Sequence, residues 1–185
     1  MMSKTTFLLG RLARLISNNA QISELKPAQW EVLRYFAEAN RFSRTPSAVT
    51  LYMGTTKGTI SQTLQVLEQK KLVRKTAARN DKRSVTVDVT AAGRRLLKKD
   101  PLSELAQSVD SLSAEGRNAL DTGVDELVRN LLQTRGGRPF GLCQTCTNFK
   151  KNHPEGQPHY CALLLEPLSE SDSDMRCIEQ QNANG

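Results

Sequence analysis

The chain has no long uninterrupted apolar run, so no stretch of it is built to span a bilayer. Its first residues lack a secretory pattern, because the apolar block Phe7-Leu8-Leu9 is too short before Gly10 and Arg11. A cytoplasmic location is therefore expected. Histidine is scarce: His153 and His159 are the two in the chain, and both lie near the C-terminus. No nucleophile–base constellation is visible and no glycine-rich phosphate loop occurs, which argues against an enzyme. Cysteine is absent before Cys143, and all four cysteines (Cys143, Cys146, Cys161 and Cys177) crowd into the C-terminal tail. In a cytoplasmic protein such a cluster points to metal or redox chemistry before structural disulfides.

What is present divides into two parts. A chain of 185 residues can bury one real core and carry a small appendage. The formal charge of +7 is uneven. Residues 1–138 hold 23 Lys+Arg against 13 Asp+Glu, net +10, whereas residues 139–185 hold three against six, net −3. A basic body suits a polyanionic partner.

The stretch Thr55–Thr90 organises the basic part. Ile60, Leu64 and Leu67 fall at helical spacing and form an apolar stripe. Thr55 or Thr56 can cap the start of this helix through a side-chain oxygen. Its other face presents Lys57, Thr59, Ser61, Gln62, Thr63 and Gln65, side chains that can meet base edges and phosphates, with no carboxylate among them. Gly58 would let a phosphate approach the helix start closely. The second half predicts a hairpin, with strands over 72–76 and 84–89. Its basic tip, 77–83, includes Arg79, Lys82 and Arg83. A polar-faced helix followed by a basic-tipped hairpin is how a winged helix-turn-helix meets duplex DNA. Upstream, Pro46 or Ser47 opens a short helix through Tyr52 and Gly54 turns the chain into the recognition helix.

From about Leu25 to Leu97 the sequence resembles the MarR family of bacterial winged-helix regulators. The resemblance is carried by the run from Leu25 through Pro27 and Trp30 to Leu33, by Gly58-Thr59-Ile60-Ser61, and by Leu67–Val73. It is carried most specifically by Asp81-Lys82-Arg83 followed by Val85–Gly93. The resemblance implies that Arg83 enters the minor groove at the wing tip, that Asp81 orients it, and that the protein is an obligate homodimer on a palindromic operator. It leaves open a repressor that answers to a small ligand. The family core ends near Leu132, whereas this chain runs on for about fifty residues.

Outside the helix-turn-helix, residues 5–18 and Pro27–Asn40 read as helices, the latter with Trp30 in the core. Residues 41–45 read as a polar link. Thr90 caps a basic helix carrying Arg94, Arg95, Lys98 and Lys99, and Pro101 breaks it. Helices follow over 102–112 and 114–133, with Ser113 as a cap. Leu120, Val124, Leu127, Val128, Leu131 and Leu132 make a stripe wider than one small domain needs, as a dimerisation surface would be.

In the tail, a C-x2-C pair is followed by fourteen residues, a cysteine, fifteen residues and the last cysteine. The segment has too few apolar residues to fold unaided, and four thiolates on a metal centre would supply the missing cross-links. Four cysteines can hold a structural zinc ion. Zinc sites usually draw on two paired knuckles, so one C-x2-C pair with two separate cysteines suits an iron–sulfur cluster better, and it serves [4Fe–4S] or [2Fe–2S] equally. A thiol–disulfide switch at Cys143 and Cys146 is the third reading. The apolar side chains Phe140, Leu142, Phe149, Tyr160 and Leu163–Leu165 would shield the centre, with His153 and His159 as spare ligands that read better as turn and surface residues.

The expected fold is mainly α with a small β wing. It comprises an N-terminal dimerisation helix (1–24), a winged helix-turn-helix (25–99), a helical dimerisation region (100–137) and a cysteine-rich metal-binding module (138–185). The expected function is a homodimeric, sequence-specific DNA-binding transcription regulator, not an enzyme. An iron–sulfur cluster on Cys143, Cys146, Cys161 and Cys177 would sense redox state or iron–sulfur supply and signal through the dimerisation helices.

Overall fold

The structure, a computed structural model, describes residues 2–21, 24–78, 81–137 and 140–181, and side chains within these except at 18–21, 78 and 81–84. Helix α1 (Lys4–Gln21) precedes α2 (Pro27–Glu38), whose start is set by Pro27 at the first turn, where its missing N–H is no loss. Helices α3 (Pro46–Met53) and α4 (Lys57–Gln69) form the helix-turn-helix. Thr45 and Thr56 each accept a backbone N–H at a helix start, from Ala48 and Thr59. Gly54 ends α3 at φ +57°, the left-handed conformation glycine adopts without a Cβ penalty.

The wing is an antiparallel hairpin of β1 (Val73–Ala78) and β2 (Asp81–Val89). Both strands reach further than the 72–76 and 84–89 expected, with a register shift between Ala77 and Ala78. Backbone pairing in the outer half of a wing needs no alternating apolar pattern, since it buries neither face deeply. The Thr76 and Thr86 hydroxyls pair across it at 2.8 Å. The inner half feeds the core. There Trp30, Leu33 and Phe36 of α2 meet Ile60, Leu64 and Leu67 of α4 and Val73 and Val87 of the wing.

Helix α5 (Ala91–Leu97) begins at Thr90, whose hydroxyl accepts the Gly93 N–H. Helices α6 (Ser103–Asp110) and α7 (Ala114–Thr134) follow, the second capped by Ser113. A bidentate pair from Arg34 to Asp100, at 2.6 and 2.8 Å, ties α2 to the turn before α6. Phe7, Leu8, Leu12 and Leu15 of α1 and Leu120, Val124, Leu127, Val128 and Leu131 of α7 are all exposed within the single chain.

The tail does not trail away from α7. It forms a ribbon of β3 (Gly141–Leu142) with β7 (Arg176–Cys177), and a three-stranded sheet of β4 (Phe149–Lys150), β5 (His159–Cys161) and β6 (Glu166–Leu168). A short helix α8 (Glu170–Ser173) joins β6 to β7. With few apolar residues of its own, this module borrows the core of the winged helix. Ile178 is buried in the main cluster, and the Phe140 ring packs 5.1 Å from both Tyr35 and Tyr52. Among the described residues no helix is long and apolar enough to cross a membrane.

Candidate DNA interface and cysteine centre

Helix α4 turns its three large aliphatic residues inward and its polar residues out. Ile60, Leu64 and Leu67 are buried, whereas Lys57, Thr59, Ser61, Gln62 and Gln65 are exposed and Thr63 is half-buried. Two of these hydroxyls are partly committed: Thr59 bonds Thr56 at 3.0 Å, and Thr63 donates to its own helix at Thr59 O. Lys57, Ser61, Gln62 and Gln65 make up the rest of the exposed polar face. A Cβ on Gly58 would meet nothing nearer than the Thr56 hydroxyl at 3.8 Å. The fold itself does not require glycine there. Glu68, the first carboxylate on the helix, is neutralised by Lys75 at 2.9 Å. Arg79 lies outside the described residues. For Asp81, Lys82 and Arg83 the backbone belongs to β2 and the side chains lie outside the description. Arg94, Arg95, Lys98 and Lys99 lie along and just beyond α5, and all four are exposed.

At the other end of the chain the four cysteines converge. Cys143, Cys146, Cys161 and Cys177 line one cavity of about 350 Å³, mouth included, together with Phe42, Phe149 and Leu168. Cys143 and Cys146 lie at either end of a 3-10 turn, Cys161 ends β5, and Cys177 ends β7. All four are free thiols. Among the described residues no three His, Cys, Asp or Glu side chains are grouped closely enough for a single metal ion.

Hydrogen-bond donors face two of the sulfurs. Asn40 Nδ2 donates to Cys143 Sγ at 3.3 Å, and the Gln181 N–H donates to Cys146 Sγ at 3.4 Å. The Cys143 thiol donates to Cys177, which pulls Cys177 down to about 6 against the burial that raises it. The backbone at Glu179 and the side chains of Asn40 and Ser43 act in the same direction. Cys143 is pushed up, first by its hydrogen bond to Cys177 and then by burial.

Several lining residues differ from the expected shield. Phe140 packs on Tyr35 and Tyr52, Tyr160 stacks on His153 at 4.9 Å, and Leu165 is 71% exposed at φ +55°. His159 is no surface residue. It is buried, with Nε2 3.2 Å from Glu170, Nδ1 accepting from the Asn152 N–H, and its ring against Phe149. Asn40 and Phe42 come from the link between α2 and α3, some hundred residues before the first cysteine. That link reads as merely polar in the sequence, and no local pattern there announces a distant sulfur.

A second, larger cleft of about 1510 Å³, mouth included, opens between α1, α6, α7 and the winged helix. Leu12, Glu31, Tyr52, Leu105, Val124 and Phe140 are among the residues that line it.

No curated protein sequence matches the chain. Solved structures do. A DNA complex of MepR from S. aureus aligns with a TM-score of 0.57 at 20% identity, covering 70% of this chain and 99% of that one. A point mutant of MepR from a multidrug-resistant S. aureus clinical isolate gives 0.58 at 20% identity, covering 71% and 99%. A cysteine-to-serine mutant of E. coli MarR gives 0.53 at 20% identity, covering 69% and 98%. Nearly the whole of each relative is matched, and about 30% of this chain has no counterpart in them. Residues 23–84 match the model of the MarR family, and the chain has a MarR-like winged helix fold.

Proposed function

We propose that the protein is a dimeric, DNA-binding transcription regulator whose operator affinity depends on an iron–sulfur cluster held by Cys143, Cys146, Cys161 and Cys177. DNA binding is supported by the exposed, carboxylate-free face of α4, by the net +10 of residues 1–138, and by the likeness to a MepR structure solved with DNA. Arg83 and Asp81 take the wing-tip roles that the family resemblance assigns them. The exposed apolar faces of α1 and α7 support dimerisation, since a patch of this kind on a lone chain marks an interaction surface. A second copy then sets two recognition helices on a palindrome.

The observation that carries the cofactor is the convergence of four cysteines from separate elements on one cavity, with hydrogen-bond donors on the sulfurs. When bound, a cluster would supply a redox-sensitive and oxygen-sensitive centre. The chain's part is to hold it by four thiolates, to shield it with Phe42, Phe149 and Leu168, and to stabilise the sulfur charge through Asn40 and the Gln181 amide. The reading predicts salt-dependent binding to a duplex selected from a random library by the full-length protein. Arg83→Ala should weaken that binding by about 1–3 kcal/mol. Titration of the two proteins at several salt concentrations checks it. Equal affinities would remove the wing from the interface. The cleft lined by Tyr52, Val124 and Phe140 supports a second reading, a repressor with a small-molecule effector and a structural zinc site. Metal content separates the two.

A further inference from the structure

The link between α2 and α3, residues 39–45, touches both the cysteine centre and the DNA-reading elements. On the module side, the Asn40 N–H donates to Arg176 O at 2.8 Å, and Asn40 Nδ2 donates to Cys143 Sγ. Ser43 Oγ accepts the Ile178 N–H at 3.0 Å, one residue past Cys177. Arg41 reaches Asp172 at 3.2 Å and also bonds Pro167 O. Inside the link, Asn40 Oδ1 accepts the Ser43 N–H at 2.9 Å, so the side chain that meets the sulfur also sets the turn. Tyr35 OH holds Ser43 O at 2.7 Å from the core.

On the other side, Arg44 hands this arrangement to the wing. Its carbonyl accepts the Val87 N–H at 2.8 Å, which adds the link to the outer edge of β2. Its guanidinium bonds Ala39 O at 2.9 Å and Asp88 at 3.2 Å, and touches Met175 Sδ at 3.5 Å. The next residue, Thr45, is the cap of α3. A turn that places Asn40 on a sulfur therefore also fixes where β2 and the start of the helix-turn-helix lie.

We infer that this link is the element that couples the cysteine centre to DNA, with Asn40 reading the Cys143 sulfur and Arg44 positioning the wing strand. Both are positioning residues. The inference rests on the proposed function and replaces a route through the dimerisation helices. A centre holding a cluster fixes Cys143 and Cys177 and so fixes Asn40 and Ser43. Without it, the two cysteines and β7 are free to shift, and the Arg44 contacts to Val87 and Asp88 shift with them.

The test compares full-length dimers purified without oxygen with the same dimers stripped by a chelator, on one library-selected duplex. For the parent protein the two states should differ in Kd by about fivefold or more, a usual size for coupling between sites. Arg44→Gln, which lies outside the cysteine cavity, should keep the bound iron and the visible spectrum, yet bring the ratio of Kd values to within about twofold. A parent-like ratio in this variant would overturn the coupling role and leave the proposed function standing. A parent ratio of one would remove the proposed function itself, and this inference with it. Hydrogen exchange in the unmutated protein gives a measurement free of folding defects. Stripping should speed exchange of the Val87 amide, and an unchanged Val87 beside a loosened tail would overturn the route.

Discussion

Gly93 shows how one residue can fix the approach of two elements. A Cβ there would lie 2.3 Å from the carbonyl oxygen of Leu72 and 2.7 Å from Val89. Helix α5 can therefore lie on the base of the wing only because that Cβ is missing. Gly93→Ala should destabilise the fold by about 1–3 kcal/mol, the usual cost of overpacking, seen as a lower urea midpoint. Gly58 is the opposite case. Its surroundings leave room for a Cβ, so Gly58→Ala should raise stability by about 0.5–1 kcal/mol through helix propensity. The same substitution should weaken DNA binding if a phosphate sits at that helix start. A variant both more stable and fully active would show that nothing approaches Gly58. At this scale the caps Thr56, Thr90 and Ser113 were legible in the sequence, because each acts on a backbone N–H three residues away. Asn40 was not. Its partner Cys143 stands 103 residues further on, and nothing in the residues around 40 encodes that meeting.

Among the elements, α2, α4 and α7 were readable because each repeats an apolar residue at helical spacing. The wing was readable in position and underestimated in length, since its outer strands carry little apolar alternation. The tail was readable as a cluster of cysteines, which do share one cavity, and not as a fold. Its strands are two or three residues long, too short for any periodicity to register. The stripe on α7 carries a prediction of its own. Leu127 and Val128 are 38% and 47% exposed in the single chain, although both are large and apolar. If a second copy covers them, Leu127→Asp should break the dimer, since placing an unpaired carboxylate in an apolar contact costs several kcal/mol. Sedimentation at micromolar concentration should then show monomer. A dimer of unchanged strength would move the interface elsewhere.

Across the whole molecule the main departure from expectation is where the tail goes. A module appended after α7 was expected to signal through the helices beside it. Instead it folds back onto α2 and the 39–45 link, places Ile178 in the winged-helix core and packs Phe140 on Tyr35 and Tyr52. The reason is economy of apolar surface: a segment too polar to build a core must share one. The consequence is that the tail module and the helix-turn-helix sit on one hydrophobic cluster. Loss of the centre should therefore lower the thermal stability of the winged helix as well as of the tail. Calorimetry of loaded and stripped protein checks this through a fall in Tm. The central claim, a cluster held by four cysteines, meets its most direct test in the full-length protein purified without oxygen, with visible spectrum, iron, acid-labile sulfide and zinc measured on one sample. The account predicts a coloured protein with iron and sulfide in step, bleached in a variant carrying Cys161→Ser. A colourless protein holding one zinc per chain would contradict it.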